Sequence, residues 1–167
     1  MIYRDATPGD LPAIDALFRE SFTVTFGHLY APADLATFLG QFTPEAWARE
    51  FAQPDLRFRL AVDGEGLAGF AKISDLELPA PTQARATELR QLYLGERAKG
   101  KGAAQELIEW AIATARARGA QEVWLSVYID NHRAKRFYER YGFEDRGPYA
   151  FMVGNHQDED RLMRLLL

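Results

Sequence analysis

Hydrophobic positions along the chain change period several times, and each change marks an element. Residues 2–6, IYRDA, read as a short strand. From Thr7 to Phe22 the apolar positions Leu11, Ile14, Leu17 and Phe18 recur at three and four, which predicts a helix with Thr7 as N-cap and Pro8 in its first turn. Thr43, Pro44 and Glu45 repeat that start signal ahead of AWAREF and predict another helix. The aromatic stretch between them, TVTFGHLYAPADLATFLG, is less regular and reads as a bent helix pair or a loop, suited to wall a pocket. From Arg57 the period falls to two: RFRLAVD, a Gly64-Glu65-Gly66 turn and LAGFAKISDLEL predict a β-hairpin. After the Pro-rich connector LPAPTQARA, TELRQLYLGE predicts a further strand. Ala104, Leu107, Ile108, Ala111, Ile112 and Ala115 restore the helical period up to a stop at Gly119. AQEVWLSVY predicts a strand, NHRAKRFYERYGF a capped helix ending at Gly142, and YAFMVG and DRLMRLLL two closing strands. With no internal repeat and no low-complexity segment, this order predicts one layered α+β domain over residues 1–167, its sheet mostly antiparallel and flanked by helices.

Composition narrows the function. At 167 residues, 47% hydrophobic and 26% charged, the chain suits one globular domain. Its formal net charge of -4 gives no electrostatic reason for nucleic-acid binding. With 0 cysteines there is neither a disulfide framework nor a thiolate site. The first residues lack the apolar core of a signal peptide, and no run has the length of a membrane span. The expectation is a cytoplasmic protein acting without nucleic acid or membrane. His28, His132 and His156 show no metal-ligand spacing, so no metal is expected.

The candidate chemistry centres on Gly95–Gly102, GERAKGKG. It follows the phosphate-loop pattern up to the last position, where Gly102 replaces the Ser or Thr that would hold magnesium. The dinucleotide fingerprint fails because Gln105 occupies its third glycine position. What remains is an anion site: Gly100 and Gly102 let the backbone approach closely, the first amides of the following helix point outward, and Arg97, Lys99 and Lys101 add charge.

Arg97-Ala98-Lys99-Gly100-Lys101-Gly102, read with Asn131, Ala134, Phe137-Tyr138 and Gly142-Phe143 farther on, resembles the Gcn5-related N-acetyltransferase (GNAT) superfamily. The resemblance covers Glu88 to Phe143. It implies that the strand ending at Leu94 and the VWLSVY strand splay apart, with acetyl-CoA in the notch. It implies a pyrophosphate on the amides from Arg97 to Ala103, a pantetheine arm along Leu92, Tyr93 and Leu94, contacts from Asn131 and Ala134, and the Tyr138 hydroxyl aimed at the sulfur. Asn131 also reads as a plain helix N-cap, and Tyr138 as a core aromatic beside Phe137.

The flanks SFTVTFGHLYAPADLATFL, ELRQLYL and YAFMVGNHQDEDRLMRLLL are similar to the PaiA-type bacterial spermine/spermidine acetyltransferases, which implies a polyamine acceptor. An ammonium of lysine type, with a pKa near 10.4, must lose a proton before it attacks, so a base is useful. The superfamily resemblance assigns that role to Glu88. Alternation places Glu88, Arg90, Leu92 and Leu94 on one face, where Arg90 would make Glu88 a salt-bridge partner instead. Tyr138 would then protonate the leaving thiolate, and a strand amide near Leu92 to Leu94 would meet the developing oxyanion. Phe26, His28 and Tyr30 are the candidate acceptor-binding residues. Asp75, Glu77 and the acidic turn at Asp158–Asp160 are candidate partners for further positive charges. The alternatives are an acetyltransferase for a protein N-terminus, a lysine side chain or a drug amine, and an acyl-CoA sensor without turnover. The resemblance also admits a homodimer.

Overall fold

In chain order the computed structural model, which describes residues 1–167, runs β1 (Ile2–Asp5), α1 (Leu11–Phe26), α2 (Pro32–Gly40), α3 (Pro44–Phe51), β2 (Arg57–Asp63), β3 (Gly66–Asp75), β4 (Ala86–Leu94), α4 (Ala103–Ala117), β5 (Glu122–Tyr128), α5 (His132–Arg140), β6 (Glu144–Val153) and β7 (His156–Leu166). All seven strands join one sheet in the order β1-β2-β3-β4-β5-β7-β6. Every neighbouring pair is antiparallel except β4 with β5, which α4 connects. The class is α+β, as the order of periods predicts. No helix is long and apolar enough to cross a membrane.

Several boundaries differ from the sequence expectation for local reasons. Thr7 caps the short 3-10 turn Pro8–Asp10 ahead of α1, its N–H donating to Asp10 Oδ2 at 2.8 Å. α1 continues one turn past Phe22, because Phe26 extends the same face and packs on Phe22 with ring centroids 5.2 Å apart. The irregular aromatic stretch resolves into that last turn, a 3-10 turn at Gly27–Leu29 and α2. The largest change is in β7: the acidic run HQDED is its first half and no turn. The reversal falls at Gly154-Asn155, where the Asn155 N–H donates to Asp34 Oδ1 at 2.9 Å and docks the turn against α2.

Alternation sorts the core onto two faces. Ala71, Ile73, Leu89, Val123 and Leu125 pack with Leu107, Ile108 and Ala111 of α4. Phe58, Leu60 and Phe70 pack on the other face with Ile14 and Phe18 of α1, Phe38 of α2 and Trp47 of α3. A bulge in β4 interrupts the pattern: Ile73 faces Leu89 and Lys72 faces Gln91, so Arg90 has no partner on β3. Leu89 and Leu92 therefore both turn toward α4, while Tyr93 packs among the α1-side aromatics. The expected single face of Glu88, Arg90, Leu92 and Leu94 is thus broken at Arg90, and Glu88 lies opposite Leu92.

β4 and β5 pair only at Ala86 with Glu122, Thr87 with Val123 and Glu88 with Trp124. Beyond Glu88 they part, although β5 stays paired with β7 as far as Tyr128 with Asp160. This splay is the opening in which the functional site lies.

Candidate active site

The splay opens into a cleft of about 1350 Å³, walled by α4 and α5 from one face of the sheet and by the α1-side aromatics from the other.

The α4 half presents unpartnered backbone amides. Gly100 and Gly102 have φ of +73° and +82°, a backbone that side chains adopt only under strain. A Cβ added to either would meet no protein atom within 4 Å, so both face open space. The backbone N–H groups of Gly100, Gly102, Ala103, Ala104 and Gln105 have no backbone acceptor. They sit at the positive end of a 15-residue helix, where a partly buried anion gains up to about 2 kcal/mol from the dipole in addition to its hydrogen bonds.

The predicted cofactor residues divide into two groups. Leu92, Tyr93 and Leu94 border the cleft along the edge of β4 that β5 leaves unpaired. Lys99, Gly100, Gly102 and Ala103 line it from the loop, and Asn131, Ala134 and Tyr138 from α5. Arg97, Ala98 and Lys101 do not line it. Arg97 turns back onto the β2–β3 hairpin, with Nε 3.0 Å from Asp63 Oδ2 and Nη2 donating to the Leu67 carbonyl at 2.7 Å. It is a latch for the loop. Ala98 is fully buried in the α4-side core. Lys99, paired with Glu96, is the loop cation at the cleft.

Asn131 does cap α5: its Oδ1 accepts from the Ala134 N–H at 3.3 Å. The residue also borders the cleft. The Tyr138 ring packs between Phe137 and Phe143, with centroids 5.3 and 5.6 Å away. Burial alone pushes its hydroxyl above the usual tyrosine range, so it is protonated at neutral pH.

The other half is aromatic and acidic. Phe26 and Tyr30 line it, whereas His28 sits exposed on the 3-10 turn and does not. Phe26 meets Tyr128 edge-on at 6.1 Å, so α1 reaches across the open end of the splay to β5. The Tyr30 hydroxyl donates to Asp158 Oδ2, and His156 Nε2 lies 3.1 Å from Asp158 Oδ1. Burial first, then this carboxylate, push the Tyr30 hydroxyl far above its usual range.

Three carboxylates are buried in this half: Glu88 at 7% exposure, Asp158 at 5% and Asp160 at 6%. Glu88 Oε2 accepts from the Glu77 and Leu78 N–H groups at 2.8 and 3.0 Å, which ties the β3–β4 connector to the sheet. Arg90 pairs with Glu77 at 3.1 Å and not with Glu88, because the bulge redirects it. Ser126 lies near Asp160, and desolvation followed by the charge of Asp158 pushes the Asp160 carboxyl up to about 7. Lys72 is the buried cation of the cleft. Its Nζ is 2.6 Å from Glu50 Oε2 and 5.1 Å from the Trp47 ring, so its charge is already matched.

Ser126 and Tyr149, both in this wall, have no sequence signal of their own. Asp158 and Asp160 did: the period of two in DRLMRLLL, run backwards, puts both on the face of Leu162. Asp75, by contrast, does not reach the cleft, and Glu77 is at its rim with its charge taken by Arg90.

Comparison with known proteins places this geometry. Residues 11–143 match the model of the acetyltransferase (GNAT) family. An uncharacterised N-acetyltransferase from the pepI 3′ region of Lactobacillus delbrueckii subsp. lactis is 31% identical over 161 residues, covering 95% of this chain and 92% of its own. One from Mycobacterium tuberculosis is 31% identical over 155 residues, covering 92% of this chain and 96% of its own. Among solved structures, the PaiA N-acetyltransferase of Thermoplasma acidophilum in complex with coenzyme A superposes with a TM-score of 0.78 at 21% identity, over 99% of this chain and 98% of that one. The ribosomal-protein-alanine N-acetyltransferase of Brucella melitensis does so with a TM-score of 0.75 at 20% identity, over the full length of both chains. At these identities the two structures establish the fold, and the fold by itself leaves the acceptor open. Together, the family match along most of the length and the relatives at 31% identity place this chain in the acetyltransferase (GNAT) family, whose enzymes take their acetyl group from acetyl-CoA.

Proposed function

We propose that this protein transfers acetyl from acetyl-CoA to a primary amine carrying more than one positive charge, a polyamine such as spermidine or spermine, by direct attack in a ternary complex. The observation that carries the proposal is the division of the cleft: unpartnered helix-terminal amides on the α4 side, and three buried carboxylates among aromatic rings on the other. The first half suits a pyrophosphate and the second an organic cation.

The chain's own residues then divide the work. Gly100, Gly102 and the amides to Gln105 hold the anionic end of the donor, and Lys99 adds charge. The unpaired edge of β4 from Leu92 to Leu94 offers backbone hydrogen bonds to the arm and an N–H to the charge that develops on the acetyl oxygen. Tyr138 supplies a proton to the departing sulfur, whose thiol pKa near 8.5 lies below that of the tyrosine. Phe26 and Tyr30 enclose the methylene chain of the acceptor. Glu88 and Asp158 supply fixed negative charge to its ammonium groups.

The PaiA enzyme shares this architecture, which supports a polyamine acceptor. The physics adds a quantitative expectation. A polycation is drawn to the cleft by several carboxylates acting together, and the long-range part of that attraction is screened by salt. The specificity constant for spermidine is therefore expected to fall several-fold, on the order of 3- to 10-fold, between about 0.05 and 0.5 M ionic strength. A monoamine should lose much less. Steady-state kinetics with both acceptors across that range checks this. If polyamines are inert while a singly charged amine is acetylated readily, the acceptor class is wrong.

A further inference from the structure

Resting on the transfer reaction proposed above, we propose that Asp160 is the group that takes the proton from the acceptor ammonium, with Glu88 serving as an anchor of the β3–β4 connector. The three buried carboxylates of the cleft differ in what already occupies them. Glu88 has Oε2 committed to two backbone N–H groups, and it stands at the last paired position before the splay opens. Asp158 has one oxygen on the Tyr30 hydroxyl and the other beside His156. Asp160 has neither a backbone donor nor a cation, with Ser126 close by. It lies across from Tyr128, at the end of β5 where the splay is widest, and lines the cleft.

Its surroundings favour proton uptake. Asp158 on the same strand repels its charge. The groups that face it from other elements are neutral tyrosines: Tyr128 on β5, Tyr149 on β6, Tyr93 on β4 and Tyr30 ahead of α2. Glu88, which shares Tyr149 as a neighbour, adds a further negative charge from β4. Desolvation and Asp158 bring Asp160 up to about 7, close to the value at which a carboxylate serves as base at neutral pH.

The step balances as follows. One ammonium proton passes to Asp160 Oδ, and the freed lone pair forms the N–C bond to the acetyl carbon. The C–S bond breaks with its electron pair on sulfur, which takes the Tyr138 proton. The second nitrogen proton returns through water to the Tyr138 oxygen, and Asp160 releases its proton to solvent. The sum is ammonium plus thioester giving amide, thiol and one proton.

The pH profile of kcat/KM reads this directly. Wild-type enzyme should show an ascending limb near pH 7 that is the same for two amines of different pKa, and a descending limb that follows each amine's own pKa. In Asp160→Asn the limb near 7 should vanish, activity at pH 7.5 should fall at least roughly tenfold, and kcat/KM should climb with unit slope toward the amine pKa, because only the free base then reacts. Glu88→Gln, which removes a charge that helps to hold the acceptor, should lower kcat/KM but keep the wild-type limb in place. A limb near 7 that survives in Asp160→Asn, or disappears in Glu88→Gln, overturns the assignment. Because the two-amine comparison uses wild-type protein alone, it decides the matter even if a variant fails to fold: an ascending limb that moves with the amine contradicts a protein base. Absence of acetyl transfer to any amine would instead refute the underlying reaction, a distinguishable failure.

Discussion

Gly100→Val is expected to remove acetyl-CoA binding from an otherwise folded protein. A Cβ at Gly100 meets no protein atom within 4 Å, and in the proposed binding mode it would compete with the phosphate for the open space at the loop. Valine also resists the φ of +73°, at a cost of about 1–2 kcal/mol. If the loop relaxes to relieve that strain, the amides of Gly102 to Gln105 lose their common aim and binding is lost by the second route. The expected loss in affinity is about 100-fold or more, roughly 2.7 kcal/mol. Fold stability should drop by no more than the strain, because nothing in the core moves. Titration calorimetry alongside a melting curve separates the two effects, and unchanged affinity in a folded variant would remove the anion site from this loop.

Tyr138→Phe should leave cofactor affinity near the wild-type value and lower turnover by about 10- to 1000-fold, overlapping the usual range for one positioned acid. The ring's contacts with Phe137 and Phe143 survive the substitution, so α5 keeps its place against the α4-side core. Only the hydroxyl is lost, and burial keeps that hydroxyl protonated in the native site. Single-turnover kinetics at saturating donor is the measurement, since product release then does not mask the chemical step. Wild-type turnover in the variant would mean that water protonates the thiolate and that the tyrosine serves packing alone.

How much of this was legible in the chain depends on whether a feature is local. The loop and the α5 cap were, because Gly100, Gly102 and Asn131 act through their own backbone or within one turn. The splay followed from the resemblance of the motifs, and the strand pairing bears it out. Features that depend on a distant partner did not show. Arg97 belongs to the motif that marks the loop, yet Asp63 and the Leu67 carbonyl draw it away from the cleft. The bulge at Arg90 leaves no mark in an alternating strand, but it moves Arg90 to Glu77 and changes which residues share a face with Glu88. The HQDED run reads as a solvated turn because charged clusters usually are. In the structure it is a strand start whose alternate residues, Asp158 and Asp160, are buried while Glu159 between them is exposed. Alternation shows which face the two aspartates share, but burial of charge in a cleft is a tertiary property, and the strand alone does not show that this face is closed over.

The most direct test is to incubate the protein with acetyl-CoA and a panel of amines, spermidine and spermine among them, and to measure thiol release and N-acetylated product together. Stoichiometric appearance of free thiol and acetylated polyamine, requiring both substrates and leaving no acetyl group on the protein, is the expected result. Binding of acetyl-CoA with no amine in the panel acetylated would contradict transfer and mark the cleft as an acyl-CoA sensor.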